Sequence, residues 1–154
     1  FAGDELPSTP VSLAVALADK LETLCGMFGI GQMPTGDKDP FALRRHALGV
    51  LRMLIEKKLP VALDDLVQTA FAVEAKVEGV KDAQKELLAF FFDRLRVMMR
   101  DAGYSAQEVD AVLAIGDMHV VQTPLRLKAH RQHSQEGRAC RGRAGQAGAS
   151  FRRG

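Results

Sequence analysis

The amino-acid sequence predicts an all-α protein, a helical bundle of about five helices followed by a disordered basic C-terminal tail. Apolar residues recur every three or four positions along five stretches, which is the period of helices with one buried face. Glycine and proline separate these stretches, and no useful length of sequence alternates apolar and polar residues as a half-buried strand does. With 154 residues, of which 47% are hydrophobic, the chain can form one domain with its own core.

The first two predicted helices cover residues 11–28 and 41–58. The apolar row of the first helix consists of Leu17, Leu21, Leu24 and Phe28. Glycines and Pro34 end this helix, because proline cannot continue it. Asp39 followed by Pro40 predicts the start of the second helix. A short oxygen acceptor suits an N-cap, and proline suits the first helical turn.

Three more helices are expected at residues 63–77, at residues 81–102 and after Ser105. The helix at 81–102 is the longest and is expected to be central. Its predicted buried row consists of Leu88, Phe91, Leu95, Met98 and Ala102. Gly103 predicts a C-cap, and Ser105 with Glu108 forms the S-x-x-E pattern of a capping box.

The charge is divided along the chain. Through Met118 there are thirteen basic and eighteen acidic residues, whereas from His119 onward there are eight basic residues and one acidic residue, Glu136. Glycine and arginine dominate residues 135–154, and such a segment buries too little apolar surface to offset its chain entropy. We therefore predict that residues 118–154 form a disordered or non-native tail.

The cellular setting is predicted from what the sequence contains. No signal peptide is recognisable at the N-terminus, and no window approaches the roughly 20 apolar residues that span a membrane. Cys25 and Cys140 lie far apart in unlike surroundings, so Cys25 is expected to be a buried thiol rather than part of a disulfide framework. These features favour a cytoplasmic protein without membrane contact.

Three stretches resemble the beta subunit of bacterial glycyl-tRNA synthetase of the two-subunit type. They are ALADKLETL at residues 16–24, GMFGIGQMPTGDKDPFALRR at 26–45 and LGVLRMLIEKK at 48–58. The resemblance continues weakly to Ala114 and stops after Asp117. It implies an internal fragment of a longer protein, in which residues 1–60 resemble the end of an HD-like domain and residues 61–117 lead towards an anticodon-binding region. The abrupt change near His119 suggests a reading-frame change in the gene.

The resemblance also implies a function. The fragment would be part of glycine–tRNA ligase, which attaches glycine to its tRNA and consumes ATP with magnesium. In this family the adenylate-forming site belongs mainly to the alpha subunit, with which beta assembles as an alpha2beta2 heterotetramer. The fragment is therefore expected to bind no cofactor, to carry no catalytic residue or metal, and to act as scaffold with a possible surface for glycine tRNA.

The candidate RNA contacts are Lys38, Arg44 and Arg45, the best basic cluster before the tail. A helix start with nearby cations can hold a phosphate. Asp37 and Asp39 lie beside them and weaken the argument from residues alone. Arg94, Arg96 and Arg100 form a second group, but interleaved acids make a solvated helix face the better interpretation.

Two alternative functions remain open at this point. Asp19 in ALADKLETL resembles the last metal ligand of HD-type phosphohydrolases, although one carboxylate does not make a metal site. The chain could also be a helical protein-interaction module. Two short motifs are interpreted as incidental: Gly29 and Gly31 as turn residues rather than a phosphate loop, and His130 with His133 as accidental histidines rather than zinc ligands.

Overall fold

A computed structural model describes residues 5–116 and 118–150, with side chains described as far as Glu136. The helices are α1 (Pro10–Gly29), α2 (Leu43–Glu56), α3 (Leu63–Glu74), α4 (Gln84–Asp101), α5 (Ala106–Leu113) and α6 (Thr123–Ser150), and a 3₁₀ turn, Val120–Gln122, precedes α6. Within those described ranges the extended pairing is confined to one isolated bridge between Thr35 and Lys38. The predicted all-α class is confirmed. None of the described helices combines the length and apolar character that crossing a membrane requires.

The central position predicted for the longest helix is confirmed, because α4 packs against α1, α2, α3 and α5. Its buried stripe differs in phase from the predicted row. The stripe consists of Leu87, Phe91, Leu95 and Met99, whereas Leu88 and Met98 are only partly buried. Three consecutive phenylalanines and two consecutive methionines let either phase fit the sequence, and contacts on several sides of α4 decide between them.

The first helix follows its predicted apolar row. Leu21, Leu24 and Phe28 are buried, and Leu17 packs against the same core. Thr9 caps this helix by accepting a hydrogen bond from the Ser12 amide at 3.1 Å. Phe28 contacts Phe90 of α4 with ring centroids 5.2 Å apart, which fixes the end of α1 against the centre of the bundle.

The start of α2 lies two residues later than predicted. Ala42 has φ 53° and ψ 34°, in the left-handed region, so the residues after Pro40 form a turn and the helix begins at Leu43. Asp39 nevertheless satisfies the helix start. Its two carboxylate oxygens accept hydrogen bonds from the amides of Leu43 at 2.8 Å and Arg44 at 2.9 Å.

The segment that begins at residue 118 packs against the rest of the bundle, whereas we predicted disorder there. Val120 and Leu127 are completely buried in the core that begins at Leu21, and α6 packs on α5. Disorder was predicted for the whole of residues 118–154 from the glycine- and arginine-rich composition of residues 135–154. The residues before 135 include apolar side chains that can be buried. The side chains after Glu136, including Cys140, lie outside the described part, as do residues 151–154 and 1–4.

A cluster around Arg131 fastens α6 to α5. Arg131 donates hydrogen bonds to both carboxylate oxygens of Glu108, each at 2.8 Å, and to the Gly103 carbonyl at 2.9 Å. Its guanidinium carbon lies 4.4 Å from the ring centre of Tyr104. Glu108 also forms the predicted capping box, accepting from the Ser105 amide at 2.8 Å. The hydrogen bond from Arg131, followed by that from Ser105, lowers the pKa of Glu108 to about 2.

The buried thiol predicted at position 25 is confirmed: Cys25 is free and fully buried. Burial, and secondly the charge of Glu74, raises its pKa to about 12. The proposed division of the chain at residue 60 stays a prediction, and one core cluster contains residues from both sides of it.

The Arg131 cluster predicts that Arg131→Met loosens α6 specifically. The substitution keeps the apolar stem but removes three hydrogen bonds, so amide exchange along residues 124–136 should accelerate while exchange in α4 is unchanged. Hydrogen exchange with mass spectrometry measures this. Lys128→Met, at an exposed position of the same helix, is the matched control. Equal exchange rates in the two variants would contradict the role of Arg131 in holding α6 on α5.

The pKa of Glu108 gives this cluster a defined pH range. Because the folded-state pKa lies below the ordinary 4.5, the stabilisation is present above about pH 4.5 and is lost as the pH falls towards 2. Glu108→Gln should therefore flatten this part of the stability–pH curve, measured by urea unfolding.

The raised pKa of Cys25 predicts an unreactive thiol in the folded protein. In a Cys140→Ser background, Ellman's reagent at pH 8 should react only after urea unfolds the chain. Because the unfolded thiol ionises near 9 and the folded thiol near 12, stability should fall as pH rises through this interval. Rapid labelling in native buffer would refute the burial of Cys25.

Candidate nucleic-acid interface

The three predicted RNA contacts are used differently in the structure. Arg44 donates a hydrogen bond to the Gly36 carbonyl, which ties the start of α2 to the preceding loop. Lys38 is exposed, and its backbone pairs with Thr35 at 3.0 and 3.2 Å. Arg45 points into a groove shared with other cations. Arg45 therefore differs from Lys38 and Arg44 in its surroundings, and the RNA contacts stay a prediction.

The N-terminus of α2 already holds an anion. Asp39 occupies the position in front of the helix where a phosphate would accept the first backbone amides. A carboxylate there interacts favourably with the helix dipole. An RNA phosphate would have to displace Asp39, so the helix start itself is a poor phosphate site.

The groove that contains Arg45 is the better anion site. It has a volume of about 460 Å³ and lies among α1, α2, α4 and the extended residues Glu5, Leu6 and Pro7. Lys20 of α1 and Arg45 and Arg52 of α2 bring three cationic side chains to it. We call it the basic groove.

The spacing of residues along α2 explains how the cations converge. Arg45, Gly49 and Arg52 are four and three residues apart, so they share one face of the helix. Gly49 leaves room for the side chain of Lys20. A β-carbon at Gly49 would lie 2.9 Å from Cε and 3.0 Å from Cδ of Lys20. The missing side chain of Gly49 thus lets the side chain of Lys20 pass close over α2, in the groove that Arg45 and Arg52 also line.

Acids and apolar side chains complete the basic groove. Glu5 and Asp101 lie on its margin, and Arg52 also pairs with Glu56 at 2.8 Å. The apolar part of its wall consists of Leu48, Met53, Val97 and Met98. Cations beside an apolar wall suit a ligand with separate charged and flat apolar parts, such as a phosphate joined to a sugar and base.

His46 follows Arg45, which lines the basic groove, and its surroundings disfavour the charged imidazolium. Burial, and secondly the positive charge of Lys20, lowers its pKa. Its Nδ1 atom is buried without a hydrogen-bond partner in the described structure. Because Lys20 contributes to this lowered pKa, the titration of His46 reports on the position of Lys20.

The remaining candidate sites are not assembled. Among the described residues, no group of three or more His, Cys, Asp or Glu side chains could hold a metal ion. Asp19 is exposed, as are His130 and His133. Within the described part, these side chains do not form a metal site by themselves.

The second arginine group forms the expected solvated helix face only in part, because Arg94 lies over the Phe90 ring at 5.7 Å and its Nε atom is buried. Arg96 pairs with Asp93 at 3.0 Å and with Asp110 of α5 at 3.1 Å, and its side chain remains 44% exposed.

Sequence reasoning missed Lys20, Arg52 and Gly49 as parts of one site. Arg52 is four residues before Glu56, a spacing that favours a simple ion pair on the helix surface, and that contact is present at 2.8 Å. The available signal was the R-x-x-x-G-x-x-R spacing within α2, which places a glycine between two cations on one face. The contribution of Lys20 needs the packing of α1 on α2, which this pattern does not specify.

The comparisons with known proteins all point to one family. A family model described as "Glycyl-tRNA synthetase beta subunit" matches residues 1–114. The glycine–tRNA ligase beta subunit of Acidovorax sp. (strain JS42) is 56% identical over 135 residues, or 88% of this chain. The corresponding proteins of Thiobacillus denitrificans and Dechloromonas aromatica are each 58% identical, over 85% and 87% of this chain.

Two consequences follow from the extent of these matches. The chain spans only 18–19% of the length of these relatives. A match of 135 residues cannot fit within the first 117 residues, so the similarity continues into the segment that was interpreted as frame-shifted. The expected end of the resemblance at Asp117 is therefore corrected, in agreement with the buried Val120 and Leu127.

Because Lys20 passes close to Gly49, Gly49→Ala should stabilise the protein and at the same time displace Lys20 in the basic groove. Alanine in a helix interior should raise the free energy of unfolding by about 0.5–1 kcal/mol. Its β-carbon should displace the flexible end of Lys20 and so raise the pKa of His46, because Lys20 lowers that pKa. Urea unfolding and an NMR titration of the His46 ring measure the two effects.

Two variants test this interpretation. Lys20→Met should raise the pKa of His46 without stabilising α2, and Lys85→Met, at an exposed position of α4, should leave that pKa unchanged. An unchanged His46 titration in both Gly49→Ala and Lys20→Met would show that Lys20 does not lie where the structure places it.

Proposed function

The chain belongs to the glycyl-tRNA synthetase beta subunit family, and we propose that it supplies a helical scaffold and an RNA-binding groove to glycine–tRNA ligase. The basic groove carries this proposal. Three cations converge there from two helices beside an apolar wall, which is the combination that binds a nucleic-acid backbone and supports an adjacent base or sugar.

The proposed ligand is glycine tRNA. Lys20, Arg45 and Arg52 bind the phosphate backbone, and the apolar residues of the groove contact the neighbouring nucleoside. Such contacts contribute affinity and position the RNA, while the choice of tRNA requires base contacts made elsewhere in the longer protein. Lys38 is exposed close to α2 in sequence and remains a proposed secondary contact.

The wider assembly is part of the same proposal. The relatives bear the name of a beta subunit, and we place the chain in a complex with the alpha subunit, in an alpha2beta2 arrangement. ATP and its magnesium ion serve the ligase reaction at a site outside this chain. The role of these residues is to hold and orient RNA.

The basic groove should be testable by the salt dependence of tRNA binding. The triple variant Lys20→Gln, Arg45→Gln, Arg52→Gln should weaken binding of glycine tRNA and lower the slope of log affinity against log salt by about 2–3, since each lost phosphate contact removes about 0.7–0.9. Fluorescence anisotropy with labelled glycine tRNA across a salt series measures the slope.

The control must remove the same charge elsewhere. Lys57→Gln, Lys76→Gln, Lys85→Gln neutralises three exposed lysines that do not line the basic groove. A second form of the chain ending at Glu136 removes the five later arginines but keeps the part of α6 that packs on α5. Binding that follows net charge alone, or disappears with the arginines after Glu136, would refute the groove as the RNA site.

A further inference from the structure

A different groove lies between α1 and α3, and we call it the acidic groove. Its volume is about 610 Å³. The apolar residues along it are Val15, Ala18 and Leu21 of α1 and Leu66, Ala70 and Val73 of α3. Val15 is 64% exposed and Val73 is 61% exposed, so its two ridges present apolar surface to solvent.

The charge of this groove has one sign. Asp19, Glu22 and Glu74 contribute carboxylates to it, and its described lining residues include no lysine or arginine. A hydrophobic surface with an acidic margin is complementary to a ligand with an apolar stripe and basic flanks.

The shape of the acidic groove suits a helix. Val15 to Glu22 covers eight residues of α1, and the seven steps between them extend about 10 Å along its axis at 1.5 Å per residue. A groove of this length between two helices accepts about two turns of an amphipathic helix, anchored by apolar residues at spacings of three, four and seven.

Two possible occupants are disfavoured by the structure. In a symmetric dimer through this groove, the carboxylates of one copy would face those of the other. The chain's own basic helix, α6, already packs on α5 through its buried residues. The occupant must therefore bring opposite charge from outside the described chain.

We infer that the acidic groove seats a basic amphipathic helix supplied by the longer polypeptide of this family. In the relatives, most of the polypeptide lies outside the part that matches these residues. That surrounding chain is the nearest source of a covering helix. Asp19 is thereby given a docking role, in place of metal binding.

The test uses a fluorescent helical peptide of about 18 residues, long enough to be partly helical in water. It has leucines at spacings of three, four and seven and lysines on both flanks. The 154-residue chain should bind this peptide, and a peptide with glutamate in place of lysine should bind at least tenfold more weakly because like charges then meet. Fluorescence anisotropy measures both affinities.

Matched variants localise the peptide to the acidic groove. Glu22→Lys with Glu74→Lys should weaken binding about tenfold, whereas Glu78→Lys with Glu136→Lys changes the net charge equally at exposed positions outside the groove. Val73→Gln should weaken binding and Val77→Gln should not. Circular dichroism confirms that each variant is folded.

The full-length Dechloromonas aromatica relative distinguishes the source of the helix. Its groove is already filled according to our inference, so it should bind the lysine peptide at least tenfold more weakly than the 154-residue chain. Equal binding by the relative would assign the groove to a separate partner protein. Failure of the 154-residue chain to bind, equal binding by the paired variants, or self-association that depends on Val73 would each overturn the inference.

Discussion

The buried stripe of α4 is the constraint on which the remaining helices depend. Leu87, Phe91 and Leu95 have no exposed surface, and helices on several sides of α4 cover them. Burying side chains of this size contributes about 1.5–3 kcal/mol each. Because α1 and α2 both pack on this helix as well as on each other, their separation is fixed. That spacing sets the width of the basic groove.

The sequence was sufficient wherever a structure depends on residues close together in the chain. The apolar row of α1, the Ser105–Glu108 capping box and the capping carboxylate of Asp39 are local patterns, and each is present in the structure. The phase of α4 could not be settled, because its consecutive phenylalanines leave two adjacent faces equally apolar. The packing of the segment after residue 117 involves distant partners: Val120 and Leu127 enter the common core, and Arg131 bonds to Glu108, twenty-three residues earlier.

In the candidate site, too, the residues that a local sequence pattern marks could be predicted, and those brought in by helix packing could not. Arg45 could be selected from the sequence because it lies in a visible basic cluster. Lys20, which lines the same groove, is twenty-five residues away on another helix, and its side chain passes close to position 49, which has no side chain. Charge clustering along the sequence groups Arg44 with Arg45, whereas in the structure Arg44 bonds to a loop carbonyl and Arg45 lines the groove. Convergence in space is set by helix packing and by one small residue.

The position of α1 between the two grooves gives it a further property. Asp19 and Lys20 are consecutive residues, about 100° apart around the helix axis, and they line two different grooves. Because α1 forms part of the wall of both grooves, a ligand that displaces this helix in one groove also moves a wall of the other. Any coupling that results is reciprocal.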